Sequence, residues 1–254
     1  MAIDSHMHIN NDVCSNVRER IEEVNNDSSI SKVINVGLNV PTSRDSYYIS
    51  QHNPKFYTAI GIHPLYVEGE DIDDLYRMGS NRVVAIGEIG LDTTNNSYLE
   101  QRCYLVEQIM LANSLCLPVI IHSNNSNKQV IEIFEKYVKP QYGCVFHCFQ
   151  PDLEDLAYLV SNGYYISFAG RITFKNAKKS IEVLESVPDD LFIVETDSPF
   201  IVPEPLKSNG IENNSSSNLH YIIERIAEIK GTSPKHIENI TDRNVKRLFK
   251  RINY

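Results

Sequence analysis

Two histidines, His6 and His8, lie two residues apart in the segment SHMH near the start of the chain. In a β-strand, residues i and i+2 point to the same face, so this segment would direct two imidazoles to one point. Three further histidines and two carboxylates lie toward the ends of other apolar runs: His63, Glu88, His122, His147 and Asp197. Imidazole and carboxylate groups together favour zinc, manganese, iron or cobalt. This set has more potential ligands than one tetrahedral metal site can use, which favours two metals that share a carboxylate.

Eight short apolar runs must position these residues, and they alternate with amphipathic stretches. The runs are 2–9, 32–38, 56–63, 82–90, 118–123, 143–149, 164–170 and 191–197. Strands that alternate with helices indicate parallel strands with helical crossovers. Eight such units in 254 residues predict an α/β fold, a (β/α)₈ TIM barrel, over the whole chain, 1–254, as a single domain. A doubly wound open sheet is the alternative, because a count of strands does not prove closure.

Several residues predict where the helices begin. Ser97 and Ser126 begin capping-box patterns, and Asp152 can cap the helix that follows it. The pair Ser233-Pro234 starts an extra C-terminal helix that runs to about Phe249.

The metal-binding residue types all fall toward the C-terminal ends of their predicted strands. Barrel enzymes carry their active sites on that face, so we expect these side chains to meet there. The remaining histidines lie in helical or loop stretches, and we assign no site role to them: His52, His220 and His236.

Composition limits the class of protein. The chain is 42% hydrophobic with a net charge of −9, which argues against a long basic nucleic-acid groove. Bound metal ions could still supply positive charge at a site. No stretch approaches the ~20 apolar residues of a membrane span, and the N-terminus lacks signal-peptide character, so we expect a cytoplasmic protein without membrane association. Five cysteines without a CxxC pair predict reduced and mostly buried thiols.

Seven motifs, in order, resemble those of the TatD-type metal-dependent deoxyribonucleases, a branch of the amidohydrolase superfamily with a (β/α)₈ barrel. They are DSHMH (4–8), GIHP (61–64), AIGEIGLD (85–92), PVIIHS (118–123), FHCF (146–149), GRITFK (170–175) and ETDSP (195–199). The resemblance extends from Ile3 to about Phe249.

The resemblance implies a role for each motif residue. His6, His8 and Asp197 would hold one divalent metal ion. His122 and His147 would hold a second, with Glu88 bridging the two; the metal would be zinc, manganese or magnesium. Asp197 would also act as the general base for a metal-bound water.

Three other motif residues would support this centre rather than hold metal. His63 would orient a ligand or contact phosphate, and Asp4 and Asp92 would support ligands or the local structure.

Two departures from the family pattern affect how tightly we expect the protein to bind its substrate. Asn124 and Asn125 follow PVIIHS where the family has an Arg-Asp pair. The segment 205–218 lacks the family's arginine and has Ser216 at the position aligned with a proline, although Asn214 can preserve the motif's asparagine. This segment is either a flexible loop or an altered substrate contact, because asparagine cannot replace the bidentate phosphate contact of arginine.

The function implied is hydrolysis of DNA phosphodiester bonds by a metal-activated water, through exonucleolytic trimming of single-stranded or frayed ends at the barrel mouth. Lys175 and Lys207 remain as candidate basic contacts to substrate. One alternative is an amidohydrolase or deacylase that acts on a small C–N or ester substrate, since paired metals also hydrolyse amides. Another is a catalytically inactive barrel that serves as a binding subunit.

Overall fold

A computed structural model of the chain describes residues 1–94 and 97–252. Eight parallel strands form one sheet in which each strand pairs with the next along the chain. The strands are β1 Ala2–Met7, β2 Ile30–Val36, β3 Phe56–Ile60, β4 Val83–Asp92, β5 Val119–Asn124, β6 Cys144–Phe146, β7 Tyr165–Phe168 and β8 Phe192–Val194. A parallel bridge between Met7 and Ser198 joins β1 to the segment after β8. The predicted barrel is therefore confirmed, and the open sheet is excluded.

Helices follow the strands around the outside of the barrel. They are α1 Val17–Asn26, α2 Val40–His52, α3 Ile72–Tyr76, α4 Tyr98–Ser114, α5 Asn127–Lys136, α6 Leu153–Ser161, α7 Lys178–Ser186, α8 Leu219–Lys230 and α9 Pro234–Leu248. Short 3₁₀ turns at Pro64–Tyr66, Gly170–Thr173 and Ser216–Asn218 lie in the connecting loops.

Six strands end before the apolar runs that predict them, and three of these, β3, β6 and β8, end three residues early. As a result, His63, His147 and Asp197 lie in the loops directly after these strands. In contrast, β4 extends two residues beyond the predicted run, to Asp92. All ten residues of β4 are buried, as expected for a parallel strand that is covered on both faces.

The predicted helix caps are only partly present. The Asp152 carboxylate accepts two backbone hydrogen bonds at the start of α6, and the Ser233 side chain caps α9. Ser97 and Ser126 occupy N-cap positions, but neither side chain makes a capping hydrogen bond to the part of the chain described. The Ser126 hydroxyl instead donates to the carbonyl of Leu91, which ties α5 to β4.

The core has two layers, one between the strands and the outer helices and one inside the barrel. Inward residues such as Ile34, Val84 and Ile193 form the inner layer together with Leu248 of the C-terminal helix and Phe249 directly after it. Hydrogen bonds from the Ile3 backbone N–H to Asp242 and from the Asn244 side chain to the Phe192 carbonyl hold α9 at the N-terminal ends of the strands. The extra helix thus closes the floor of the barrel and leaves the opposite mouth open.

All five cysteines are free thiols, but the expectation that most are buried is wrong. Cys144 is buried, Cys14 and Cys148 are half-buried, and Cys103 and Cys116 are exposed on the outer surface. None of the helices within residues 1–94 and 97–252 combines the length and the apolar character that a membrane span requires.

Candidate metal centre

Five imidazoles and two carboxylates converge at the C-terminal mouth of the barrel. They are the side chains of His6, His8, His63, Glu88, His122, His147 and Asp197. The strands bring them together because the carboxyl ends of parallel barrel strands meet at one rim. Every residue that the sequence suggests as a metal ligand is in this cluster.

Glu88 on β4 lies at the middle of the cluster, and its two oxygens face different groups. Oε1 is 2.6 Å from Nδ1 of His122 and 3.0 Å from Nε2 of His147. Oε2 is 3.4 Å from Nε2 of His6 and 3.7 Å from Nε2 of His8. The two oxygens of one carboxylate thus face two pairs of imidazoles, and the rings of His6 and His147 stack with centroids 4.1 Å apart.

The Oε2 side of Glu88 contains His6, His8 and Asp197. The Nε2 atoms of the two histidines are 3.1 Å apart, and Oδ1 of Asp197 is 3.4 Å from Nε2 of His8. Asp197 has a left-handed backbone with φ of +53°, which is unfavourable for a residue with a Cβ. Its backbone N–H donates to the His6 carbonyl at 2.9 Å, and its carbonyl accepts from the Phe200 N–H at 2.8 Å. These bonds hold the carboxylate against the two rings.

The Oε1 side of Glu88 depends on a close approach between β4 and β5. Gly90 has a φ of +153°, and a Cβ there would lie 1.8 Å from the carbonyl oxygen of His122. A glycine is therefore required at this position for His122 to lie beside Glu88.

Hydrogen bonds to the outer ring nitrogens fix the proton positions of His8 and His147. Nδ1 of His8 is 2.9 Å from the Val36 carbonyl oxygen, and Nδ1 of His147 is 3.2 Å from Oε1 of Glu195. Both partners accept, so each Nδ1 donates, and Nε2 is the ring atom that faces the centre. A carboxylate or carbonyl behind a histidine is the usual partner of a metal-binding ring.

His122 and His63 have opposite arrangements. Both ring nitrogens of His122 face carboxylate oxygens: Nε2 donates to Oδ2 of Asp92 at 3.0 Å, and Nδ1 lies 2.6 Å from Oε1 of Glu88. Nδ1 of His63 accepts the backbone N–H of Leu65 at 3.1 Å, so the proton of its neutral ring is on Nε2. Nε2 of His63 lies 3.6 Å from Oε1 of Glu88. His63 therefore presents a donor, and not a lone pair, to the centre.

Burial and the neighbouring charges shift the pKa values of the cluster. Burial lowers the pKa of His63 to about 3, which keeps this ring neutral. Burial alone would raise the pKa of Glu88 and of Asp197, but nearby imidazoles, chiefly His147 for Glu88 and His8 for Asp197, hold both below their usual range. Both carboxylates are thus anionic within a buried ring of nitrogen atoms.

The residues present fit a divalent metal centre. Three overlapping groups of ligand atoms lie within 4.8 Å of one another: His6, His8 and Asp197; His6, Glu88 and His147; and His63, Glu88 and His122. In the described part of the chain, Nδ1 of His6 is buried without a hydrogen-bond partner, and its Nε2 faces the Nε2 of His8. Two ring nitrogens aimed at each other beside a carboxylate are suited to a shared cation. The donor set of nitrogen and carboxylate oxygen is typical of zinc or manganese.

The other predicted site residues lie outside the ligand cluster. Asp4 is fully buried and accepts hydrogen bonds from the hydroxyls of Thr196 and Ser216, both at 2.6 Å. Burial raises the pKa of Asp4 to about 6. Asp4 therefore links β1 to the segment after β8. Lys175 lines a separate pocket on the loops after β7 and β8.

The segments that depart from the family pattern are partly packed. Asn124 donates to both oxygens of Asp92, at 3.3 and 3.2 Å. Asn214 and Ser216 are buried, and Asn214 donates to the Thr196 carbonyl at 2.9 Å. The end of segment 205–218 thus supports the strand that leads to Asp197.

Sequence reasoning missed Glu195 and Arg171. Glu195 lies two residues before Asp197 in ETDSP, and it accepts from both His147 and the Cys148 backbone N–H. Its position in the ETDSP motif was the sequence feature that could have identified Glu195 as a site residue. Arg171, in GRITFK, lies at the mouth of the barrel near Cys148. Burial raises the pKa of the Cys148 thiol to about 12, and the positive charge of Arg171 partly opposes this rise.

A parallel (β/α)₈ barrel with a cluster of histidines and carboxylates at its C-terminal mouth defines a metal-dependent hydrolase. The sequence pattern of the family described as TatD related DNase matches residues 3–250, and the chain belongs to this family.

Known proteins similar to this chain agree with that assignment. An uncharacterized metal-dependent hydrolase of Bacillus subtilis (strain 168) is 33% identical over 98% of this chain and 99% of its own length. A protein of Escherichia fergusonii named 3′-5′ ssDNA/RNA exonuclease TatD is 28% identical over 87% of this chain and 88% of its own. Among solved structures, a TatD homologue from Escherichia coli K12 superposes with a TM-score of 0.86 at 24% identity, over 98% of each chain.

Proposed function

We propose that the chain is a two-metal deoxyribonuclease that removes nucleotides from single-stranded or frayed DNA ends. The observation that carries this proposal is Glu88, whose two oxygens face different imidazoles: Oε2 faces His6, and Oε1 faces His122. A bridging carboxylate with nitrogen ligands on each side is suited to a metal pair, and metal pairs are typical of phosphodiester hydrolysis.

In this proposal each metal has its own ligands. His6, His8 and Asp197 would hold one, His122 and His147 would hold the other, and Glu88 would be shared between them. When bound, the metals lower the pKa of a coordinated water and polarise the phosphoryl oxygens. The ring nitrogens that His8, His122 and His147 direct at the centre support this ligand set.

Two residues act on the reacting groups directly. Asp197 is 8% exposed at the mouth, so its anionic carboxylate can accept a proton from the attacking water. His63 directs its Nε2–H into the same space and can donate to a phosphate oxygen, since its Nδ1 already accepts from Leu65. The Leu65 hydrogen bond also excludes His63 from the proposed ligand set, because a metal ligand needs a free lone pair at Nε2.

The rim of the mouth supports a substrate with unpaired bases. The Phe200 ring is 46% exposed with its centroid 5.9 Å from that of His8, and Tyr66 is 38% exposed at 6.0 Å from His63. Bases stack on exposed aromatic rings when they are not paired. Two such rings beside the cluster favour single strands or frayed ends over intact duplex.

The test is hydrolysis of end-labelled single-stranded and duplex DNA with manganese, zinc or magnesium, with and without a chelator. We expect metal-dependent release of short products from single strands, slower release from duplex, and loss of activity in chelator and in Asp197→Asn. Hydrolysis of small amides or carboxylic esters without any cleavage of DNA would overturn the proposal in favour of an amidohydrolase.

A further inference from the structure

A basic pocket lies between the loops that follow β7 and β8. Its volume is about 570 Å³, and its lining includes Arg171, Lys175 and Lys207. Pro151, four residues after His147, also lines it, so the pocket opens on the same rim as the cluster. Glu204 is the single carboxylate among the described residues of the lining, so the pocket carries net positive charge in a chain of net charge −9.

Arg171 is exposed, and its side chain has no hydrogen bond or ion pair within residues 1–94 and 97–252. Six other arginines pair with carboxylates: Arg18, Arg20, Arg44, Arg77, Arg225 and Arg247. An unpaired guanidinium at the mouth of a site is free to form two parallel hydrogen bonds with an oxyanion.

The pocket is built on loops that fix each other. A Cβ at Gly170 would lie 2.2 Å from the carbonyl oxygen of Ile201, so the two loops touch through their backbones. The backbone N–H of Glu204 also donates to the Thr173 hydroxyl at 2.8 Å. Nζ of Lys207 lies 4.1 Å from the centre of the Phe174 ring, a cation–π contact that orients the ammonium. The loops that carry the positive groups are therefore already held in place, so little conformational entropy is lost when an anion binds.

We propose that this Arg171 pocket, formed by Arg171, Lys175 and Lys207, binds a phosphate of the nucleic-acid chain next to the phosphate that is cleaved. The proposal rests on the proposed nuclease function and narrows its substrate class. A substrate with a second phosphate gains contacts that an isolated phosphodiester lacks, so the enzyme selects polynucleotides over small diesters.

The first test measures binding without hydrolysis. A fluorescein-labelled oligothymidylate of ten nucleotides is titrated with the full chain in a buffer that contains a chelator. The fluorescence anisotropy is followed at several salt concentrations. Each phosphate contact to a single strand contributes about −0.7 to the slope of log K against log salt, so three contacts predict a slope of roughly −2. Arg171→Ala should weaken binding about 10-fold and reduce the slope by about 0.7.

The matched control is Arg243→Ala, since Arg243 is an exposed arginine of α9 at the floor of the barrel. It should change neither the affinity nor the slope. An unchanged affinity and slope in Arg171→Ala, or an equal loss in both variants, would overturn the pocket as a phosphate site.

The second test compares two substrates with metal present: the oligothymidylate and bis(4-nitrophenyl) phosphate, which has a single phosphate. Arg171→Ala should lower kcat/KM for the oligonucleotide about ten times more than for the small diester. Equal losses on both would place Arg171 at the reacting phosphate and overturn the proposal. If wild-type protein hydrolyses neither substrate while binding still depends on Arg171, the nuclease function is refuted and the anion pocket is upheld.

Discussion

Replacing Glu88 by glutamine should disable the centre while leaving the barrel folded. The amide keeps the size of the side chain but replaces one carboxylate oxygen with a donor and removes the negative charge. Oε1 lies 2.6 Å from His122 and Oε2 lies 3.4 Å from His6, so the amide nitrogen must face one imidazole set in either orientation. One of the two proposed metals then loses an oxygen ligand, and the charge that offsets repulsion between the metals is gone.

The size of the effect follows from the role assigned to this group. Loss of a positioned catalytic group costs at least ~10²-fold in rate, or about 2.7 kcal/mol of transition-state stabilisation. The fold should survive because Glu88 lies at the rim, above the inner layer that Val84, Ile193 and α9 form.

The assay pairs hydrolysis of single-stranded oligonucleotide with melting followed by circular dichroism. Glu224→Gln is the control, since Glu224 is an exposed carboxylate on α8. If Glu88 were only a structural group, Glu88→Gln would melt earlier and yet keep its turnover. Near wild-type activity in folded Glu88→Gln protein would refute the bridged two-metal mechanism.

Three further predictions concern groups around the ligands. Glu195→Ala should weaken metal affinity about 10- to 100-fold in a metal titration, because the carboxylate behind His147 fixes the direction of its lone pair; unchanged affinity would contradict that role. His63→Ala should keep the full metal content by elemental analysis while hydrolysis falls at least ~10-fold, and loss of a metal would show that His63 is a ligand. The pKa of Asp4 is raised to about 6 from an ordinary 3.8, so its protonated form stabilises the fold below pH 3.8 and this contribution is lost as pH rises through 6. Melting temperatures of Asp4→Asn should accordingly vary less than those of wild type between pH 4 and pH 6, and parallel profiles would contradict the buried, raised-pKa carboxyl.

The sequence predicts the fold and the members of the cluster because both depend on simple periodicities. His6 and His8 share a face through the two-residue repeat of a strand, and parallel strands must deliver His122 and Glu88 to the same rim. The assignment of the whole chain to one domain, and the metal-ligand roles, stay predictions.

Other features depend on three-dimensional placement that no local pattern encodes. The donor role of His63 comes from the backbone N–H of Leu65, and the role of Glu195 comes from the position of His147 across the barrel. The early ends of β6 and β8 reflect loops that turn with positive φ at Cys148 and Asp197, where the apolar run in the sequence continues.

The central claim is tested most directly by the metal content of purified wild-type protein and of His122→Ala. His122 directs its Nδ1 to the Oε1 side of Glu88 and makes no contact with the set of His6, His8 and Asp197 among the described residues. Elemental analysis should give close to two metals per chain in wild type and close to one in His122→Ala. Two metals at full occupancy in His122→Ala, or a single metal in wild type, would contradict the two-metal centre.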